Sequence, residues 1–129
     1  MDGAELLRKL QVTAGARLSL LNAPASLAGA LESLVRLVGP DEACDAVLAF
    51  CEGPEDVARL SRVALGALVP DGLLWFAYRK GAAAKSSGLS RDSGWAALEK
   101  AGYRGVRMIS IDEAWSAKRC REVGKVRAS

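Results

Sequence analysis

Residues 45–51 have the sequence DAVLAFC, a nearly continuous apolar run with no glycine or proline inside it. A strand buried on both faces, as inside a parallel sheet, has this pattern, whereas a half-buried strand alternates apolar and polar residues. Gly53-Pro54-Glu55-Asp56 follows and favours the start of a helix, because proline suits the first turn and acidic side chains suit the positive end of the helix dipole. The stretch therefore predicts a strand and then a helix within a parallel α/β sheet.

Apolar runs and helical patterns alternate in both directions from this stretch. Val57, Leu60 and Ala64 repeat at helical spacing and predict the sheet-facing side of the helix, which ends at a turn at 70–72. Strands that alternate with helices imply right-handed crossovers and a parallel sheet, and a short link between the last two strands predicts an antiparallel hairpin. Strands are predicted at 17–21, 33–38, 45–51, 73–78, 106–111 and 117–123, further helices at 4–11, 27–31 and 91–100, a loop at 79–89 and a frayed basic tail at 124–129.

These elements predict one α/β domain over residues 1–129, with a mostly parallel sheet of about six strands. A chain of this length usually forms a single domain. No apolar run reaches the length of about 20 residues that crosses a bilayer, and residues 1–11 contain Asp2 and Glu5 instead of a long apolar segment. We therefore expect a cytoplasmic protein with no membrane partner and no secretory signal.

The chain contains no histidine, which removes several classes of reaction. A Ser-His-Asp triad, a Cys-His dyad and a zinc site with imidazole ligands cannot be built without it. Cys44, Cys51 and Cys120 form no Cys-x-x-Cys pair, so neither a disulfide framework nor a thiolate metal site is expected. Proton transfer would depend on carboxylates, lysine, tyrosine or cysteine, and the sequence designates no catalytic residue.

Charge is divided unevenly along the chain. Residues 1–64 contain six basic and nine acidic side chains, whereas residues 65–129 contain twelve basic and six acidic ones. Such asymmetry can indicate a surface that binds anions or nucleic acid, and it can also arise from a solvated edge with dispersed charges. The sequence leaves both interpretations open.

The order of these elements resembles a trimmed class I methyltransferase fold, a Rossmann-like domain of three layers. The segments RLSLL, DAVLAFC and LLWFAY and the closing hairpin carry this resemblance. The chain also resembles a family of small bacterial proteins known only as a domain of unknown function. The methyltransferase resemblance implies the strand order second, first, third, fourth, sixth, fifth, with a ligand crevice beyond the carboxyl ends of the first and third strands. The segments that resemble the small bacterial family are residues 9–12 with Gly15, 20–24, 73–80, 85–88 and 112–116.

The resemblance places a cofactor site around Asn22, Pro24, Asp41 and Glu52. A nucleotide cofactor needs a glycine-rich loop after the first strand, and residues 22–25 (NAPA) contain no glycine, while Pro24 has no backbone N–H. Asp41 lies about 20 residues after this loop, where such enzymes have an acid for the ribose hydroxyls. The turn-forming tendency of Asn22 is an alternative reason for its presence. No cofactor is expected with this degenerate loop.

A second candidate site binds anions. Residues 81–86 (GAAAKS) follow a strand but lack both the glycine before the lysine and the spacing of a phosphate-binding Walker loop. Basic side chains here, together with hydroxyls and free amides at a helix start near Ser90, can still attract an anion. The candidate residues are Arg79, Lys80, Lys85, Ser86, Ser87 and Ser90.

Three residues of the closing hairpin are interpreted without a catalytic role. Asp112 and Glu113 are neighbours and are expected to point to opposite faces, which favours a role in the turn over a catalytic pair. Trp115 is expected to be partly exposed in the turn and available for a contact.

Three functions remain open at this point. The favoured hypothesis is a non-catalytic binding or regulatory module on a methyltransferase-like scaffold, with an anionic ligand or a protein as its partner. The alternatives are an S-adenosylmethionine-dependent methyltransferase and a protein that binds nucleic acid through its basic half. The sequence specifies no oligomeric state.

Overall fold

The computed structural model describes residues 2–125, which form one mixed six-stranded sheet with helices on both faces. The strands are β1 (Arg17–Leu21), β2 (Arg36–Val38), β3 (Cys44–Phe50), β4 (Leu68–Arg79), β5 (Tyr103–Ser110) and β6 (Trp115–Glu122). The helices are α1 (Gly3–Leu10), α2 (Ala25–Leu31), α3 (Pro54–Ala67), α4 (Gly81–Ser87) and α5 (Ala96–Lys100), and a 3₁₀ turn covers Val123–Lys125.

The strand order is β2-β1-β3-β4-β6-β5, as the resemblance implied. The first four strands of this order run parallel, and β6 pairs antiparallel with both β4 and β5. The Rossmann-like α/β fold with a C-terminal antiparallel hairpin is thereby confirmed.

Strand β3 is buried on both faces, as its apolar run predicted. Ala46, Leu48 and Phe50 face a core that also contains the leucines of α1 and α2. Val47 and Ala49 face a second core that is closed by α3 and α5. The sheet is therefore the middle of three layers.

Local signals explain where two of the helices begin. Asp2 caps α1, and its carboxylate accepts a hydrogen bond of 3.0 Å from the backbone N–H of Ala4. Pro54 occupies the first turn of α3, with Glu55 and Asp56 beside it, as predicted.

Several predicted boundaries are wrong. Residues 32–35 form a turn instead of the start of β2, because the amides of Leu34 and Val35 both bond to the carbonyl of Leu31. The turn expected at 70–72 lies inside β4, where Asp71 has a φ of 54°. The link between the last two strands covers residues 111–114, so Trp115 already belongs to β6.

The region from 79 to 100 also differs from the prediction. The predicted loop contains α4, which is capped by the following residue, Gly88, with a φ of 79°. The helix expected from residue 91 starts only at Ala96 and has five residues. Residues 126–129 of the predicted tail lie outside the described part of the chain.

Candidate functional site

The three central parallel strands end at one edge of the sheet, here called the carboxyl edge. β1, β3 and β4 end there at Leu21, Phe50 and Arg79. Strand order reverses between β1 and β3, since β2 lies on one side of β1 and β4 lies on the far side of β3. Ligands of open α/β sheets bind beyond such a switch point. This edge is therefore where the predicted site residues must meet if they act together.

Asn22 makes the turn that follows β1. Its φ is 56°, in the left-handed region that asparagine tolerates better than most residues. Its side-chain amide donates a hydrogen bond of 2.9 Å to the carbonyl of Phe50, which ties the ends of β1 and β3 together. Asparagine thus supplies the backbone conformation that glycine would otherwise supply, and its side chain spans the switch point.

Pro24 and Asp41 occupy different parts of the sheet. Pro24 lies just before α2 in extended backbone, with a φ of −58° and a ψ of 139°. Asp41 lies in the link between β2 and β3. The link begins after Val38, which pairs with Ser19 in the middle of β1. It ends at Cys44, which lies at the opposite edge of the sheet, where β1 begins. The chain therefore runs away from the carboxyl edge at Asp41, and the structure does not bring Asp41 to Asn22.

Glu52 does lie at the carboxyl edge, where it pairs with Arg79. The Arg79 Nε donates to the Glu52 carboxylate at 3.0 Å. The Arg79 guanidinium also lies over the ring of Trp115, with its central carbon 4.1 Å from the ring centroid. The ion pair with Glu52 therefore fixes the Arg79 side chain at the carboxyl edge.

Trp115 is buried rather than partly exposed, which corrects the sequence-based expectation. Only 7% of its surface is accessible, and its ring meets Phe50 edge to face with centroids 4.9 Å apart. The turn before it is set by Asp112, whose carboxylate accepts hydrogen bonds from the backbone amides of Ala114 and Trp115 at 2.8 and 2.9 Å. Asp112 thus forms the turn, as predicted.

Two lysines converge on Ser110 at the end of β5, and these three residues are called the lysine cluster. The Lys80 ammonium donates to the Ser110 hydroxyl at 2.5 Å, and the Lys9 ammonium donates to the Ser110 carbonyl at 3.1 Å. The Lys80 backbone N–H also donates to the carbonyl of Ala114 at 3.0 Å. Lys9 and Ser110 were not among the predicted site residues, because they are 101 positions apart and no motif links them.

The rest of the predicted anion site is arranged differently. In α4, the Ser86 hydroxyl donates to the carbonyl of Ala82, and the Ser87 hydroxyl donates to the carbonyl of Ala84. Lys85 is exposed in the last turn of α4. The helix start expected at Ser90 is absent, because α5 begins six residues later and is too short to form a strong anion site.

A cavity of about 550 Å³ lies beside the lysine cluster, between α1 and the turn that joins β5 to β6. Leu6 and Ile111 give it an apolar wall, and Lys9 also lines it. Four carboxylates also line it, so both signs of charge are present. The acidic residues are Asp2, Glu5, Asp112 and Glu113.

The cysteines near these sites are poor nucleophiles. Cys51 follows β3 at the carboxyl edge and is fully buried. Burial, assisted by the nearby Asp56 carboxylate, raises its pKa to about 12. The thiol is thus protonated at neutral pH and has little nucleophilic character. Within residues 2–125, no cluster of cysteine, aspartate and glutamate side chains has the arrangement of a metal site. None of the helices in that range is long and apolar enough to span a bilayer.

No protein-family model and no curated protein matches this chain. Solved structures do match it. A SAM-dependent methyltransferase from Aquifex aeolicus has a TM-score of 0.60 at 14% identity, over 92% of this chain and 88% of the other. The N-methyltransferase NodS from Bradyrhizobium japonicum has a TM-score of 0.56 at 15% identity, over 93% of each chain. Fibrillarin from Methanococcus jannaschii has a TM-score of 0.56 at 13% identity, over 85% of this chain and 68% of the other.

The fold of this chain is that of class I methyltransferases. At identities of 13–15% the likeness concerns the fold alone. Among the three functional hypotheses, these comparisons favour the methyltransferase alternative over the non-catalytic module at the level of fold.

Proposed function

We propose that this protein is a ligand-binding module on a methyltransferase-like scaffold, and that its lysine cluster binds the carboxylate or phosphate group of a small molecule. The convergence of Lys9 and Lys80 on Ser110 carries this proposal. Two ammonium groups held at one residue repel each other, and an anion between them relieves that repulsion. Both lysines keep N–H donors beyond those used on Ser110, because an ammonium group has three.

The neighbouring groups support the same location. Arg79 is neutralised by Glu52 and packed on Trp115, so it adds rigidity more than free charge. The cavity beside Lys9 is within the range of about 300–1,000 Å³ that small-molecule sites occupy. Its carboxylates, such as Glu5 and Glu113, suit a ligand with a cationic group at its other end. A zwitterion with its anionic end at the lysines matches this distribution of charge.

The fold favours a second candidate, an S-adenosylmethionine-dependent methyltransferase, since the solved structures that this chain resembles include such enzymes. The predicted cofactor residues do not fit the adenosyl half of that molecule. The amide of Asn22 is engaged by Phe50, Pro24 offers no N–H, and Asp41 lies away from the carboxyl edge. The lysine cluster suits the carboxylate of the methionine half, so both candidates use the same edge.

Calorimetric titration tests the lysine cluster, with inorganic phosphate and S-adenosylhomocysteine as separate probes. The test variant is Lys9→Gln with Lys80→Gln, and the matched control is Lys85→Gln with Lys100→Gln, which removes the same charge from exposed sites. Each lost charge-assisted hydrogen bond costs about 1.5–3 kcal/mol, so phosphate affinity should fall about tenfold or more in the test variant only. Equal affinity in the two variants, or no phosphate binding by the native protein, would contradict the proposal.

The second probe separates the two candidates. Saturable one-site heat with S-adenosylhomocysteine, weakened by Asn22→Ala, would support the methyltransferase. Phosphate binding without any such heat would support the binding module and remove the methyltransferase. Phosphate reports on the lysine cluster alone, whereas weaker binding of S-adenosylhomocysteine by Asn22→Ala reports on the switch point, so the two proposals can fail separately.

A further inference from the structure

Four arginines lie on one face of the β5–β6 hairpin, far along the sheet from Asn22. They form two cross-strand pairs, Arg104 opposite Arg121 and Arg107 opposite Arg119. Residues directly opposite in an antiparallel pair share a face, and this face is the one that contains Ala117 and Trp115. These four residues are called the arginine face.

An irregularity in β5 brings the arginines onto the same face. Residues three apart in a regular strand point to opposite faces, so Arg104 and Arg107 would normally be separated by the sheet. The register shifts between Gly105 and Arg107, which leaves Val106 as an extra residue. Such a bulge re-aims the side chains on one side of it. Here it turns both arginines of β5 towards the arginines of β6.

This arrangement is unfavourable for the free protein. Like charges directly opposite each other destabilise a sheet. Arg121 is compensated by Asp71, whose carboxylate accepts two hydrogen bonds at 2.9 and 2.7 Å. Arg119 is half-buried, and its Nε has no hydrogen-bond partner among residues 2–125. Its guanidinium donates one hydrogen bond of 3.3 Å to the side-chain carbonyl of Gln11. Burial and the charges of Arg121 and Arg107 lower the pKa of Arg119.

Protection of the sheet edge explains only part of this pattern. Proteins place charged residues and bulges on exposed edge strands to prevent pairing with other chains, and β5 is an edge strand with both devices. Arg119 and Arg121, however, belong to β6, which lies between β4 and β5. Edge protection does not require arginines on an interior strand, and the pairing of like charges across the two strands needs another reason.

We infer that the arginine face binds the phosphate backbone of double-helical nucleic acid without sequence preference. Guanidinium groups bind phosphates through two parallel hydrogen bonds. A phosphate bound between paired arginines also removes the repulsion between their charges. A protein partner would be expected to meet an apolar centre. On this face of the described hairpin, Trp115 and Ala117 are buried in the core, and Ile109, opposite Ala117, is partly buried against the same core.

The aromatic residues argue against single strands as the target. Stacking of bases on exposed aromatic rings is the usual device for single-stranded nucleic acid. Within the described hairpin, Tyr103 packs against the core on the opposite face and Trp115 is buried. The arginine face therefore offers phosphate contacts without a stacking platform.

Fluorescence anisotropy with a labelled 20-base-pair duplex tests this inference over a range of salt concentrations. The test variant is Arg104→Gln with Arg107→Gln, two exposed residues whose loss should not unfold the sheet. The control is Arg36→Gln with Arg62→Gln, which removes the same charge from exposed positions on β2 and α3. Each phosphate contact contributes about −0.9 to the slope of log affinity against log salt, so the slope should become shallower by about 2 in the test variant alone.

The other outcomes overturn the inference. An equal change in both variants would mean that net charge, not the arginine face, controls binding. No binding of the duplex by the native protein at low salt would also overturn it. Tighter binding of a labelled polyglutamate peptide than of the duplex, lost in the test variant, would assign the face to an acidic protein partner instead.

Discussion

The carboxylate of Asp45 joins the starts of β1 and β3. It accepts hydrogen bonds from the backbone N–H of Arg17 at 2.9 Å and from its guanidinium at 3.1 and 2.9 Å. The side-chain hydrogen bond with Arg17 is the main cause that lowers the pKa of Asp45 to about 2, followed by the backbone hydrogen bond. Both side chains are more than a third exposed, so solvent screens part of this interaction.

This pair predicts a loss of stability in acid. The folded-state pKa of Asp45 is lower than the value of about 3.9 for an unfolded aspartate, so its contribution is complete above pH 4 and disappears as the pH falls towards 2. Urea midpoints between pH 2 and 7 should show a shallower acid decline for Asp45→Asn than for the native protein. Asp41→Asn, in an exposed loop, is the control, and an identical decline in both variants would contradict the assignment.

Asn22 and Trp115 show how far single residues can be predicted. The turn-forming tendency of Asn22 is confirmed by its φ of 56°, because the preference for left-handed backbone is local. The burial of Trp115 could not be predicted, because its ring is covered by Phe50 and Arg79, which are 65 and 36 positions away in the chain.

At the scale of elements, α1 is attached to the sheet by a buried hydrogen bond. The Trp75 indole N–H donates to the carbonyl of Leu10, the last residue of α1, at 3.0 Å. Trp75 lies in the middle of β4 and is fully buried. This bond and the leucines on the inner side of α1 hold the helix next to the cavity and the lysine cluster.

The replacement Trp75→Phe should loosen α1. It leaves the Leu10 carbonyl without its donor and removes buried volume, and together these effects should lower the free energy of unfolding by about 2–4 kcal/mol. Hydrogen exchange should accelerate in α1 more than in α3, which packs on the other face of the sheet. Phe76→Leu is the control for lost volume on the α3 face, and equal acceleration in both helices would refute the specific role of Trp75.

The errors between residues 79 and 100 concern the short helices α4 and α5. A helix of seven residues such as α4 has little intrinsic stability, so its formation depends on tertiary packing. In α4 the buried residue is Ala84, and the strand before it fixes where the helix starts. The sequence GAAAKSS has enough glycine and serine to suggest a loop, and only the packing of Ala84 decides for a helix.

At the scale of the whole molecule, the sheet separates two cores that share β3 and β4. The three free cysteines lie on the face with α3 and α5, and all are buried. Burial is the main cause that raises the pKa of Cys51 and that of Cys120 to about 12. Reaction with a thiol reagent therefore requires the α3 face of the molecule to open.

If residues 1–129 unfold as one domain, the three thiols should react together with Ellman's reagent at pH 8, at the rate of global unfolding. Stopped-flow or manual mixing in increasing urea should then give thiol rates that follow the unfolding rate seen by tryptophan fluorescence. Fast reaction of one thiol in the absence of urea would show that this face opens locally, and the three Cys→Ala variants would identify which thiol it is.

The period of apolar residues in the sequence predicted the burial of β3 on both faces, and the short link between the last two strands predicted the antiparallel closing hairpin. The alternation of strands and helices predicted a parallel sheet, whereas the order of the strands was implied by the resemblance to class I methyltransferases. The sequence also indicated Arg79 and Lys80 as candidate ligands, since both come directly after the strand predicted at 73–78.

Which side chains meet depends on the tertiary structure. It brought Lys9 to Ser110, moved Asp41 away from the carboxyl edge, and turned Arg104 and Arg107 to one face through the bulge at Val106. The physical reason differs between these cases. Lys9 and Ser110 are 101 positions apart, so no local pattern encodes their contact. The faces of Arg104 and Arg107 depend on the register shift between Gly105 and Arg107, because a shift of one residue exchanges the two faces of a strand.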